Sequence, residues 1–173
     1  MKKTVAFLLT AVIALGMCGC GRISSDKIDD LIDEGYEIEQ VDNNSICIIE
    51  DGVEYYYKTG LLKPVLSRVC FHVCAKPEYD VSKELDVTIT PEYFRINIIA
   101  SDTVTSQFAN GNEHTWEESY RFEFKNDFSP ENLTNDRGFA DIAGDYEWFT
   151  KYYMTPDELQ EIYDRALELE KEL

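Results

Sequence analysis

The sequence predicts an α+β domain built on a mostly antiparallel meander sheet of about six or seven strands, covered by a C-terminal helix and a short N-terminal helix. Three observations lead to this prediction. Apolar and polar residues alternate in several consecutive segments, as they do in strands that bury one face. Turn-forming residues separate these segments at short intervals, as the hairpins of an antiparallel sheet require. The final segment carries apolar residues at helical spacing behind a capping box.

The first predicted elements are a helix and a three-stranded meander. The helix is capped by Ser25 and ended by Gly35, because apolar residues recur between them at helical spacing. Asp51 and Gly52 connect the second and third strands, and this pair is a strong hairpin signal because both residues adopt positive φ readily. The three strands are predicted at residues 36–41, 46–50 and 53–58.

The alternation continues through the middle of the chain. Residues 68–75, 85–90 and 93–98 place apolar side chains on one side and polar side chains on the other. From Thr103 a long hairpin is predicted, which turns at Asn110 and Gly111. Because short turns join these segments, each strand should pair with its neighbour in sequence.

The C-terminal part combines a loop with two helices. Residues 127–144 contain few apolar residues and several turn formers, which predicts a loop with helical turns before a short aromatic helix around Trp148. Thr155, Pro156 and Glu158 then mark the start of the clearest helix, since they supply the cap, a proline at the first helical position and the capping-box glutamate. That helix should cover the apolar face of the sheet. Its predicted buried stripe consists of Leu159, Ile162, Tyr163, Ala166 and Leu173.

The chain is strongly acidic, with a formal net charge of −18 over 173 residues. This charge argues against nucleic acid and other polyanionic partners, and it favours cations, basic peptides or neutral ligands. An acidic surface that only keeps the protein dispersed is the alternative explanation. Residues 26–173 are long enough for a single domain with its own core.

The N-terminal segment has the pattern of a leader peptide. Lys2 and Lys3 precede an apolar run at residues 5–15, and small residues then surround Cys18 and Cys20. The run is shorter than the roughly 20 residues of a membrane-spanning helix and has the length of a signal-peptide core. This segment resembles a bacterial lipoprotein signal peptide with its lipobox.

The resemblance implies a signal peptide over residues 1–19, lipid attachment at Cys20 and a tether over residues 20–25. It also implies that the domain is held on the extracytoplasmic face of the cell membrane. Cys18 is the weaker candidate for the lipid, because the bulky Met17 precedes it. An uncleaved signal anchor is the alternative to cleavage.

Three thiols follow the leader, at Cys47, Cys70 and Cys74. An odd number permits at most one disulfide, and buried reduced thiols are the commoner state. Cys70, His72 and Cys74 alternate on one strand face, but the two cysteines lie about 13 Å apart by strand rise and cannot share one ion. Since His114 is the only other histidine in the sequence, we predict no metal site and no cofactor.

The polar face of the sheet is the candidate ligand-binding surface. By strand parity it carries His72, Arg95, Asn97 and Arg121, together with Glu123. Forked guanidinium donors fit planar anions such as carboxylates, so the two arginines could recognise an anionic group. The alternative is a solvated face on which the arginines pair with Glu123.

No Gly-x-Ser-x-Gly, His-Glu-x-x-His or phosphate-binding loop occurs in the sequence. We therefore predict a membrane-anchored binding or scaffolding module without catalysis, whose partner is a protein or a small molecule at the cell surface. One alternative is a cell-surface hydrolase that uses carboxylates or a pair formed by His114 with Cys70 or Cys74. A second alternative is a structural subunit of an envelope assembly.

Overall fold

The computed structural model describes residues 23–61, 63–92, 94–107, 113–134 and 141–173. In these residues one eight-stranded antiparallel meander forms, with the strands in sequence order across the sheet. The predicted α+β fold, with its C-terminal and short N-terminal helices, is confirmed. The strands are β1 (Glu37–Asp42), β2 (Ser45–Glu50), β3 (Val53–Lys58), β4 (Val65–Cys74), β5 (Glu84–Thr90), β6 (Arg95–Gln107), β7 (Glu113–Phe124) and β8 (Leu133–Thr134). The helices are α1 (Ser25–Asp33), α2 (Ile142–Tyr152) and α3 (Pro156–Glu172), with a short 3-10 turn at Pro130–Asn132.

The hairpin predicted at Asp51 and Gly52 is present, and both residues have positive φ, at 51° and 81°.

The middle of the sheet differs from the prediction. A single strand, β6, runs through the region where one strand was expected to end and another to begin. Ser101 and Asp102 interrupt the alternation there, and three residues of β6 stand opposite one residue of β7, so the strand bulges without ending. The turn predicted at Asn110 and Gly111 lies outside the described residues.

The helix boundaries also differ in detail. Ser24, not Ser25, caps α1, because its side chain accepts a hydrogen bond from the Lys27 backbone N–H at 3.2 Å. The second helix begins at Ile142, inside the segment predicted to be a loop. Asp141 makes this start possible, since its carboxylate accepts the Gly144 N–H at 3.1 Å. Among the described residues, no helix is long and apolar enough to span a membrane.

The core lies on one face of the sheet, beneath α2 and α3. A row of fully buried apolar side chains crosses from β2 to β7, and each member pairs with the next in register. Helix α3 closes this face with four buried residues, of which Leu169 was not in the predicted stripe, while Ile162 and Leu173 are only partly buried. The row consists of Ile48, Tyr55, Val69, Ile89, Ile96 and Phe122.

Buried tyrosine hydroxyls connect α3 to the sheet and α2 to the loop that follows β7. Tyr57 of β3 donates to the Ala166 carbonyl of α3 at 2.7 Å, and Tyr146 of α2 donates to the Phe128 carbonyl at 2.5 Å. A buried hydroxyl without a partner would cost about 1–3 kcal/mol, so each bond fixes where its helix can sit. The predicted capping box of α3 is present as well, with the Thr155 side chain and the Glu158 carboxylate each bonded to the other residue's backbone N–H.

We expect Tyr57→Phe to lower the free energy of unfolding by about 1 kcal/mol, because it removes the bond to Ala166 from a fully buried position. Tyr56→Phe is the matched control on the same strand, since its hydroxyl bonds to Glu54 in a part-buried position. Urea denaturation measures both, and the control should change stability by less than about 0.5 kcal/mol. Equal losses in the two variants would contradict the role given to Tyr57.

Candidate functional site

The side of the sheet opposite the helices is called the outer face. It presents the alternate residues of each strand, so that Cys70, Thr88, Asn97 and Arg121 form one row in register from β4 to β7. His72 pairs with Asp86 in the neighbouring row. All four residues predicted to bind a ligand, His72, Arg95, Asn97 and Arg121, therefore lie on this one face.

The two arginines converge on one carboxylate. Nη2 of Arg95 and Nη2 of Arg121 each lie 2.9 Å from Oε1 of Glu123. Partial burial raises the pKa of Glu123, but the two guanidinium groups outweigh it and hold that pKa below its ordinary value. The guanidinium groups are thus engaged in a cross-strand ion pair, the alternative that the sequence left open. Recognition of an external anion by these arginines stays a prediction.

A second group on the outer face joins the ends of β4 and β5. Here the antiparallel register sets His72 opposite Asp86 and Cys74 opposite Glu84. His72 Nδ1 donates to Asp86 Oδ1 at 2.9 Å, and His72 Nε2 lies 3.4 Å from Glu84 Oε2. The Cys74 thiol donates to the other carboxylate oxygen of Glu84, Oε1, at 3.8 Å. These four residues are called the His72 cluster.

The His72 cluster is open to water. The side chains of His72, Glu84 and Asp86 are 47%, 56% and 64% exposed, and Cys74 is exposed as well. The hydrogen bond to Asp86, followed by the nearby charges of both carboxylates, raises the pKa of His72 above its ordinary value. The cluster therefore combines an imidazole, a thiol and two carboxylates on an accessible surface, a set of groups that attracts cations.

The thiols have three different environments. Cys47 is buried, Cys70 is half-buried with its Sγ 3.7 Å from Thr88 Oγ1, and Cys74 is exposed, and none of the three forms a disulfide. The expectation of buried thiols holds for Cys47 and is wrong for Cys74. Cys70 belongs to a different row from the His72 cluster, in keeping with the predicted separation of the two strand cysteines.

Glu84 and Asp86 are the members of this group that were not predicted as site residues from the sequence. The alternation through residues 85–90 already placed even-numbered residues of that strand on the polar face, so parity could have indicated Glu84 as well. Its pairing with Cys74 required the register between β4 and β5, which a sequence pattern does not provide. The side chain of His114, the other histidine considered, lies outside the described part of the chain.

A shallow hollow lies on the helix side of the sheet, between the β2–β3 turn and α3. Its one cationic residue, Arg165, donates to both carboxylate oxygens of Glu50, at 2.8 and 3.0 Å, and to the Tyr36 hydroxyl at 3.0 Å. This fork connects the helix to β2 and to the start of β1, so Arg165 has a structural role.

We expect Glu123→Gln to lower the free energy of unfolding at pH 7 by about 0.5–1 kcal/mol, as partly exposed ion pairs contribute no more than this. Because the Glu123 pKa is lowered in the folded state, its contribution is present above the ordinary glutamate pKa and is lost as the pH falls through the lowered value. The variant should therefore lose less stability on acidification than the wild type. Urea denaturation at pH 7 and pH 3 measures the difference.

Glu37→Gln is the control for this experiment, since Glu37 lies on edge strand β1 with an exposed side chain. Its stability should follow the wild type at both pH values. If the Glu123 and Glu37 variants gave the same pH dependence, the ion pair would have no measurable role.

Comparison of the chain with known protein families, with characterised proteins and with solved structures finds no match. The features of the chain that bear on its function are the outer face, with its arginine–glutamate ion pairs and the His72 cluster, and the leader pattern of the sequence.

Proposed function

We propose that this protein is a lipid-anchored binding module on the extracytoplasmic face of a bacterial cell membrane, and that it recognises its ligand through the outer face of the sheet without catalysing a reaction. The observation that carries the proposal is that polar side chains from five consecutive strands share one open face, while the helices cover the other. Such a face offers hydrogen-bonding groups to a ligand at fixed strand spacing.

The leader pattern supports the membrane location. In the sequence, Cys20 is five residues from Ser25, the first residue of α1, so a lipid on Cys20 would hold the domain close to the bilayer. Helix α1 is rich in aspartate, and the whole chain is strongly acidic. Repulsion from anionic lipid headgroups would keep the domain off the surface and its outer face available.

The charges of the outer face favour a cationic or neutral polar ligand over a polyanion. Glu123 already engages the guanidinium groups of Arg95 and Arg121. The His72 cluster adds two exposed carboxylates in a chain whose net charge is −18. A basic peptide segment or a cation would be attracted here and a neutral ligand would not be repelled, whereas nucleic acid would be repelled.

The anchor is tested by the pair of variants Cys20→Ala and Cys18→Ala. We expect Cys20→Ala to lose incorporation of an alkyne-labelled fatty acid and to leave the lipoprotein fraction, because the thioether carrying the two chains that give stable membrane binding cannot form. Cys18→Ala should label like the wild type. Labelling that survives in Cys20→Ala but is lost in Cys18→Ala would show that the lipid is attached to Cys18. Absence of labelling in the wild type and in both variants would refute the lipid anchor.

The outer face is tested by photo-crosslinking in living cells. A photoreactive amino acid at Ile99, which is 42% exposed on the outer face beside Asp86 and Ser119, should give a discrete adduct with an envelope component. The same amino acid at Ile32, which is 50% exposed on α1, is the control and should give none. Identical adducts from both positions would show that the outer face has no special role.

A further inference from the structure

We propose that His72, Cys74 and Glu84 form a binding site for a divalent transition metal ion of the zinc type. The site goes beyond the proposed function, since neither the lipid nor the surface ligand is needed for it. It differs from the sequence-based prediction of no metal site, because the third ligand is Glu84 of the neighbouring strand and not Cys70. The three side chains come from two paired strands, and one ligand atom from each lies within 4.8 Å of the others.

The spacing of these atoms is close to what a metal ion requires. Bond lengths of about 2.0–2.3 Å around a tetrahedral zinc ion place its ligand atoms roughly 3.3–3.8 Å apart. His72 Nε2 lies 3.4 Å from one oxygen of Glu84, and Cys74 Sγ lies 3.8 Å from the other. Because all three side chains are exposed, small rotations can bring the imidazole and the thiol together without disturbing the core.

Asp86 supplies the feature that distinguishes this site from a chance group of exposed side chains. It accepts a hydrogen bond from Nδ1 of His72 at 2.9 Å, so that in the neutral imidazole the lone pair is on Nε2, which is turned toward Glu84. Histidines that bind metal commonly donate their other ring N–H to a carboxylate, which fixes the tautomer and the ring orientation. Asp86 is therefore a positioning residue.

The ligand types select the metal. A thiolate and an imidazole favour zinc, cobalt or copper, whereas magnesium and calcium prefer oxygen ligands throughout. Three protein ligands leave a fourth position of a tetrahedral ion open to water or to a donor atom of another molecule. On the outer face, that position would point away from the sheet, toward the space where a ligand would bind.

The test is metal binding by the full-length protein purified in detergent, with Co²⁺ as the spectroscopic probe and Zn²⁺ as the competitor. Wild type should show the thiolate-to-cobalt charge-transfer absorption and lose it when Zn²⁺ is added. Cys74→Ser should lose this absorption and bind Zn²⁺ at least 10-fold more weakly. His72→Ala and Glu84→Gln should each weaken Zn²⁺ binding by a similar factor.

Cys70→Ser is the matched control, because Cys70 is on the same strand and face but contacts Thr88 and not the His72 cluster. It should keep both the absorption and the affinity. All variants share the same N-terminus, so thiols or lipid in the leader contribute equally to each. The result is therefore independent of whether Cys20 carries a lipid.

Asp86→Asn tests the positioning role. It should keep the charge-transfer absorption while weakening Zn²⁺ binding by about 10- to 100-fold, the range found for carboxylates that orient metal-binding histidines. Saturating Zn²⁺ should raise the Tm of wild type and Cys70→Ser but not that of Cys74→Ser. Wild-type affinity in Cys74→Ser, or equal losses in Cys70→Ser and Cys74→Ser, would overturn the proposal.

Discussion

The structure depends on the burial of one face of a sheet whose other face stays in water. Six strands contribute to a single buried row that ends at Phe122, and α2 and α3 cover that row. This arrangement fixes the parity of β2 to β7, since a slip of one residue would turn the buried side chains of the slipped strand to the outer face. The buried tyrosine hydroxyls then fix α3 against β3 and α2 against the loop that follows β7.

The same parity determines what the outer face can do. Side chains that are excluded from the core meet their cross-strand neighbours, which brings Arg95 to Glu123 and His72 to Asp86. Ion pairs that are exposed or partly exposed contribute little to stability, because water competes for both partners. Changes among them need not disturb the core, which lies on the other face of the sheet.

Alternation and capping signals were sufficient to predict the fold class, the β2–β3 hairpin and the start of α3, because each is decided by residues close together in sequence. The start of α2 was missed because a single side chain, that of Asp141, begins the helix in a polar segment. Parity predicted correctly that the four candidate ligand residues share one face. The grouping of His72 with Glu84 could not be predicted, since it depends on strand register and on side-chain rotamers.

The order of the strands has a consequence for how the domain can assemble. Each strand pairs with the one immediately before it, so every pairing closes a short loop and carries a small entropic cost. Topologies of this kind, with low contact order, fold faster than those that must join distant segments. A chain that emerges N-terminus first from a translocation channel would find the partner of each new strand already in place, and only the arrival of α3 would complete the covering of the core.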